Sequence, residues 1–323
     1  MSTIEPIGGF FEIEIPKGNN NYHKQALALS TGRACLNLIL ETIKPSKIYI
    51  PYYTCDALFE PMTVSNTQFS FYEIDEKLDP LSLPKLKDKE YIVYINYFGI
   101  KKNTVNKLIK EYGNRLIIDN SHDFYSKGNR DNWSFTTARK YFGVPDGAFL
   151  YSPKKIIRKF ERNQNISVNH LLNRFIGKQA VAFDQFQKYE KTLNSEIKRI
   201  SKFSESILSN IDYDRIKKVR KDNLDYLMNS LNHLNILEIN NANNINPYCY
   251  PFLPKNPINK ELFYNKNIFI PSLWLDTLTR SKTGFVNEKI LSKNLLPLPI
   301  DHRYTKVDLK SIVVLIQNIT KLK

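Results

Sequence analysis

Two residues in the middle of the chain have types and positions that can do chemistry together. Asp119 closes the apolar run Leu116-Ile117-Ile118, which reads as a buried strand, so its carboxylate falls at the strand's carboxyl end. Open α/β sheets place their ligand sites at that end. Lys140 follows a second short strand, Trp133 to Phe135. Gly143, Pro145 and Gly147 then break the chain before a third strand, Ala148 to Tyr151. A lysine amine condenses with an aldehyde to form a Schiff base. A carboxylate keeps a pyridine nitrogen protonated, so that the ring can accept carbanion electrons. These are the two groups that pyridoxal phosphate (PLP) requires. An Asp at a strand end is more often a cap, and most lysines are solvated charges, so the pair needs support from its surroundings.

The segment around the pair resembles the DegT-like sugar-nucleotide aminotransferases of the fold type I PLP superfamily. The matching residues are Asp119, His122, Ser134-Phe135, Lys140 and Asp146-Gly147. The family's SFHxxK reads SFTTARK here, with one extra residue before the lysine. Its Gly-Glu-Gly-Gly turn reads Val144-Pro145-Asp146-Gly147.

The resemblance continues elsewhere. Leu27 to Leu40 reads as a short strand entering an apolar helix, with Ser30 or Thr31 as N-cap. The exposed amides of such a first turn form an anion site. The family binds the PLP phosphate there, which implies Gly32, Arg33 and Ala34. Arginine replaces the family's threonine, so Arg33 either pairs with the phosphate or points to solvent. After the strand Lys47 to Pro51 comes a helix capped by Thr54. Here the family has Pro-x-x-Thr and then an aromatic residue stacked on the ring. Cys55 holds that position, and Tyr53 is the substitute. Tyr91 to Gly99 resembles the family's strand and loop beside the site, which puts Asn96 and Tyr97 near the cofactor. The same resemblance gives Asp119 the pyridine nitrogen and His122 a place near the ring. It adds Ser134 and Thr136 to the cofactor contacts.

These elements require a scaffold. The β-α-β-α-β order up to Asp119 predicts a mostly parallel sheet with helices on both faces. The fold class expected is α/β and fold type I PLP-transferase-like. An N-terminal arm (1–25) precedes a large PLP-binding domain with its connecting helices (26–210), and a small C-terminal α/β domain (211–323) follows. Phe10 to Ile15 alternates like a strand, and Lys101 to Tyr112 has helical periodicity. Ile156 to Arg162 and Val168 to Ile211, broken near Gly177, read as helices. Strands are expected over Leu234 to Ile239, Cys249 to Leu253 and Ile268 to Pro271. Asn294 to Tyr304 resembles the family's Leu-Pro-Leu-His segment, and Val307 to Ile319 its closing helix.

Composition narrows the field further. The chain has 323 residues, 42% apolar, and a formal net charge of +15. Its lysines are spread along the chain without a basic block or a nucleic-acid motif, so the charge reads as a solvated face that also attracts an anionic substrate. Neither a membrane span nor a signal peptide is legible. Cys35, Cys55 and Cys249 are scattered, which fits a reducing cytoplasm. The five histidines have no metal spacing, and no P-loop, dinucleotide fingerprint or nucleophile elbow is present.

The function expected is amino transfer, with glutamate as donor by resemblance and a keto-sugar nucleotide as acceptor, in surface polysaccharide or lipopolysaccharide synthesis. Lys140 would also move the proton as general base and acid. A homodimer is expected, with the apolar arm Ile7 to Ile15 buried against the partner and Asn163, Asn169, His170 and Arg174 as candidates to reach its site. The alternatives are a non-catalytic or regulatory protein that keeps the fold, and a PLP enzyme of another type such as a dehydratase.

Overall fold

Runs of β-branched and aromatic residues make the strands of a seven-stranded sheet. The structure, a computed structural model, describes residues 7–129, 131–239 and 245–321. The strands are β1 (Leu27–Leu29), β2 (Lys47–Pro51), β3 (Phe69–Tyr72), β4 (Glu90–Ile95), β5 (Leu116–Asp119), β6 (Trp133–Thr137) and β7 (Ala148–Tyr151). Their order is β1-β7-β6-β5-β4-β2-β3. Pairing is parallel from β3 through β2, β4 and β5 to β6, and β7 runs antiparallel to both of its neighbours. Every residue of β5, β6 and β7 is buried, as in sheets covered on both faces.

Helix α1 (Gly32–Ile43) lies against the sheet with Ala34 to Leu40 all buried. Thr31, one of the two expected caps, starts it: its Oγ accepts from the Ala34 N–H at 3.0 Å. Helices α2 (Phe59–Val64) and α3 (Lys102–Tyr112) complete the βαβ units. Cys55, not Thr54, precedes the 3-10 turn Asp56–Leu58 that leads into α2; its side chain makes no cap bond, and the Asp276 carboxylate accepts from the Asp56 N–H instead.

Beyond β7 the expected helices are broken up. Ile156 to Arg162 is not helical. It runs extended beside Arg199, whose N–H donates to Glu161 O while its carbonyl accepts from Asn163 N–H. Those tertiary bonds, with Ile156 and Phe160 packed on the core, override the local periodicity. The run from Val168 to Ile211 divides into α4 (Asn169–Phe175), α5 (Gln179–Glu190) and α6 (Lys202–Leu208). The chain between α5 and α6 returns to the sheet edge, where Lys198 O accepts from Ser30 N–H.

The last third holds α7 (Tyr213–Leu231), β8 (Tyr250–Phe252), α8 (Glu261–Tyr264), α9 (Asp276–Thr279), α10 (Val286–Asn294), β9 (Leu296–Leu298) and α11 (Lys306–Lys321). Strands β8 and β9 pair antiparallel. Leu234 to Ile239 is not a strand. It holds the end of a 3-10 turn and a single bridge, Asn235 to Pro254, because Asn235 spends its amide on Pro251 O and its side-chain oxygen on two backbone N–H groups. Ile268 to Pro271 also lacks strand pairing. In the arm, Phe10 to Ile15 pairs with no strand, and Ile7, Phe10 and Phe11 are nearly fully exposed. Residues 1–6 of the expected arm lie outside the described residues. One apolar core runs from the sheet into the last third, so Ile117 and Leu36 share it with Leu298 and Ile316.

Candidate active site

Strand parity decides what meets at the end of β5. Asp119 pairs with Phe135, and the two share one face of the sheet, called the front here. Gly32, at the start of α1, is on this face, since a Cβ there would lie 3.4 Å from the Phe135 ring and 3.9 Å from Ser121 Oγ. Ile118 pairs with Ser134 on the back. Asp119 therefore faces the N-terminus of α1.

The Asp119 carboxylate is buried and accepts from the Ser121 N–H at 2.8 Å. Burial raises its pKa, opposed by the Lys140 ammonium and by bonds from Ser121. His122, three residues on, is fully packed. Its ring lies between Tyr248 (4.9 Å, 23°) and Trp274 (5.2 Å, 17°). Nδ1 accepts from the Phe98 N–H at 3.3 Å, so the neutral ring carries its proton on Nε2. Burial first, and then the Lys140 charge, hold the imidazole neutral by pushing its pKa well down. Nε2 is buried with no hydrogen-bond partner. Gly99 makes this packing possible: its φ is +79°, and a Cβ would sit 2.4 Å from the His122 carbonyl oxygen.

Lys140 is exposed on the loop after β6, with its Nζ 6.0 Å from the Tyr248 ring. It opens onto a cleft of about 790 Å³ between this loop, α4 and the last third of the chain. Arg139, Arg174, Arg220 and Arg303 also line the cleft, which makes it basic. Asp146, in the expected Gly-Glu turn, is fully buried and structural. It accepts from the Ser201 N–H, from both Ser201 and Ser204 hydroxyls, and from Asn163. Asn163 is half-buried and bonded within this chain, and His170 is buried on the Tyr189 ring. Arg174 lines this chain's own cleft, and Asn169 opens α4.

Other expected contacts fall differently. Asn96 donates to Asn120 Oδ1 at 3.0 Å, Ser134 follows the parity of Ile118, and Thr136 donates to Asn120 O at 2.8 Å. All three belong to the back and do not meet Lys140, because side chains alternate along a strand. Thr137 is the front-facing hydroxyl, bonded to Gly147 O at 3.1 Å. Ala34 is at the right turn, but its N–H is taken by Thr31. Arg33 donates to Leu193 O at 3.2 Å and lies 3.5 Å from the Glu60 carboxylate, so its guanidinium neither faces the helix start nor points freely to solvent. Cys55 feels the charges of Lys140 and Asp119 across the front, while burial raises its thiol pKa. Tyr53 packs into an aromatic cluster with Tyr97 and edge-on to Trp274, at 5.5 and 4.5 Å.

Sequence reasoning missed Ser121, Thr137, Trp274 and Arg280. The first two follow from counting parity outward from Asp119. The last two are remote in sequence and carry no local signal. Arg280 donates to Tyr52 O and Thr54 O, at 2.5 and 2.7 Å, and pairs with Asp56 at 2.6 Å, which clasps the loop bearing Cys55.

No protein-family model matches the chain, and no curated protein sequence matches it. Solved structures do. The sugar aminotransferase CalS13 from Micromonospora echinospora superposes with a TM-score of 0.65 at 14% identity, covering 91% of this chain and 87% of that one. A DegT DnrJ EryC1 StrS aminotransferase from Brucella abortus gives 0.62 at 14% identity, covering 91% and 85%. DesV from S. venezuelae, in complex with a ketimine intermediate, gives 0.65 at 13% identity, covering 92% and 85%. The chain has the fold of these aminotransferases over nearly its whole length.

Proposed function

We propose that this protein is a PLP-dependent aminotransferase acting on a keto-sugar nucleotide, with an amino acid such as glutamate as donor. One observation carries the reading: Asp119 and the start of α1 share the front of the sheet, and Lys140 Nζ lies 6.0 Å from the Tyr248 ring that stacks on His122. The residues fit the cofactor. An unpartnered, buried N–H at His122 suits a ring oxygen, and the Gly32 and Arg33 amides at the helix start suit a phosphate. Asp119 would hold the ring nitrogen's proton, and Cys55 and Ser121 would flank the ring. PLP, when bound, supplies the electron sink. Lys140 would anchor it covalently and then move the substrate proton as general base and acid.

The basic cleft beside Lys140 supports an anionic acceptor such as a nucleotide diphosphate sugar. The exposed Ile7, Phe10 and Phe11, together with Phe175 and Phe183 on α4 and α5, support a homodimer that covers them. Among the described residues no helix is long and apolar enough to cross a membrane. A role in surface polysaccharide synthesis in the cytoplasm fits this chemistry.

Borohydride reduction of the PLP-loaded protein and peptide mapping tests the reading. The pyridoxyl adduct is expected on Lys140. An adduct elsewhere, or no covalent adduct, overturns it. Loss of the adduct's parent absorbance on adding glutamate separates a transaminase from a non-catalytic PLP binder.

A further inference from the structure

The back of the sheet carries a second pocket, unconnected with the reading of Lys140. It has a volume of about 670 Å³, within the range that holds a small-molecule ligand. Two helix faces form its walls. On α3, Lys102, Asn106 and Ile109 recur at helical spacing, and on α7 so do Asp214, Lys217, Lys218 and Lys221. Lys127, from the loop after β5, adds a fifth ammonium to the rim. Of the five, Lys221 is paired with Asp225, 2.5 Å away, and Lys127 sits 4.5 Å over the Tyr22 ring.

The floor is polar. It includes Asn120 and Asp123, from the loop after β5, and Ser134, near the start of β6. Ser134 is 2% exposed and Asp123 is 9% exposed. The Ser134 hydroxyl and one Asp123 oxygen have no hydrogen-bond partner. Both atoms are closed off from solvent, so they back the pocket without opening into it. The loop is pressed onto this floor at Gly128, where a Cβ would fall 2.4 Å from Ser134 Oγ.

We propose that this pocket is a second binding site, for a phosphorylated small molecule of nucleotide size. The lysine rim takes the phosphates, and the Asn106 and Asn246 side chains that share the lining supply polar groups for the rest of the ligand. Inorganic phosphate would fill only a small part of the cavity, and an uncharged polyol would leave the rim unmet. The site is separate from the Lys140 cleft because Ile118 and Asn120 face it, while Asp119 faces the front.

Adenosine diphosphate is the probe, with adenosine as the uncharged control. Lysine acetylation footprinting of the full chain should show several-fold protection at Lys102, Lys217 and Lys218, and none at Lys154 and Lys155. Calorimetry on K217E/K218E should show binding weakened on the order of tenfold or more, and steeply salt-dependent in the wild type. The facing-wall variant K102Q, chosen because its side chain is exposed, should weaken binding in the same direction. Even protection of all surface lysines, equal binding of adenosine, or unchanged affinity in both variants overturns the proposal. The footprint separates this site from the Lys140 cleft, so its failure would leave the aminotransferase reading untouched.

Discussion

The front and back of strands β5 and β6 are built from neighbouring residues and do opposite things. Asp119, Phe135 and Thr137 face α1, where burial and the Lys140 charge act on one carboxylate. Asn120, Ser134 and Thr136 face away, and Asn120 and Thr136 tie the loop to the sheet with Asn96 and Asp123. A shift of one residue in the sequence moves a side chain to the other side of the sheet. A hydroxyl beside a catalytic candidate in the chain is therefore not beside it in space.

Substitutions on the two faces should separate by orders of magnitude. Lys140→Ala should abolish both the covalent adduct and transamination, measured by absorbance and by product mass. Asp119→Asn keeps the shape and removes the charge. It should lower turnover at least 100-fold, about 3 kcal/mol of barrier, with the adduct still formed; turnover near normal would hand the role to another group. Thr137→Val removes the bonds to Gly147 O and from the Arg139 N–H at the base of the loop that carries Lys140, and should weaken PLP binding about tenfold, about 1.4 kcal/mol. Its back-face neighbour variant, Thr136→Val, should leave PLP affinity within about twofold and instead cost about 1 kcal/mol of stability in denaturant titrations, as the bonds to Asn120 O and Asp123 O are lost.

The smallest effect is a pH dependence on the back. Burial pushes the Asp123 carboxyl up to about 7, against bonds from Ser126 and Asn96 and the charges of Lys102 and Lys217. The folded protein then binds this proton more tightly than the unfolded chain. The stabilising contribution is complete below the ordinary carboxyl pKa of about 4 and is lost as pH rises through about 7. Asp123→Asn should therefore melt at a higher temperature than wild type at pH 8. The gap should narrow steadily toward pH 4. A constant gap across that range would show that the proton is not involved.

The sheet was legible because its signals are local. Apolar runs ending in Asp119, the Thr31-Gly32 helix start and the helical spacing of Val105 and Leu108 each lie within a few residues. The positions proposed for Asp119, His122 and Lys140 rest on the same kind of local signal, a strand end and the loops that follow. The two misread segments after β7 lose their local pattern to side-chain and tertiary bonds that periodicity does not contain. Ile156 to Arg162 has a helical pattern but is drawn out by Arg199. Leu234 to Ile239 has a strand pattern but gives its bonds to Asn235. Ser134 and Thr136 were placed with the cofactor by motif, where parity from Asp119 would have sent them behind. Trp274 and Arg280 could not be found at all, since nothing near them in sequence points to the loops they touch.

The clasp of Arg280 on Thr54, 226 residues earlier in the chain, has a consequence for biogenesis. A nascent polypeptide emerges N-terminal end first, and its early elements can fold before later ones exist. The sheet, the α1 turn and Lys140 would be assembled while the loop carrying Cys55 and the ring of His122 still lacked Arg280 and Trp274. On the ribosome the pocket would stand open on one side, and closure would wait for the final segment to arrive.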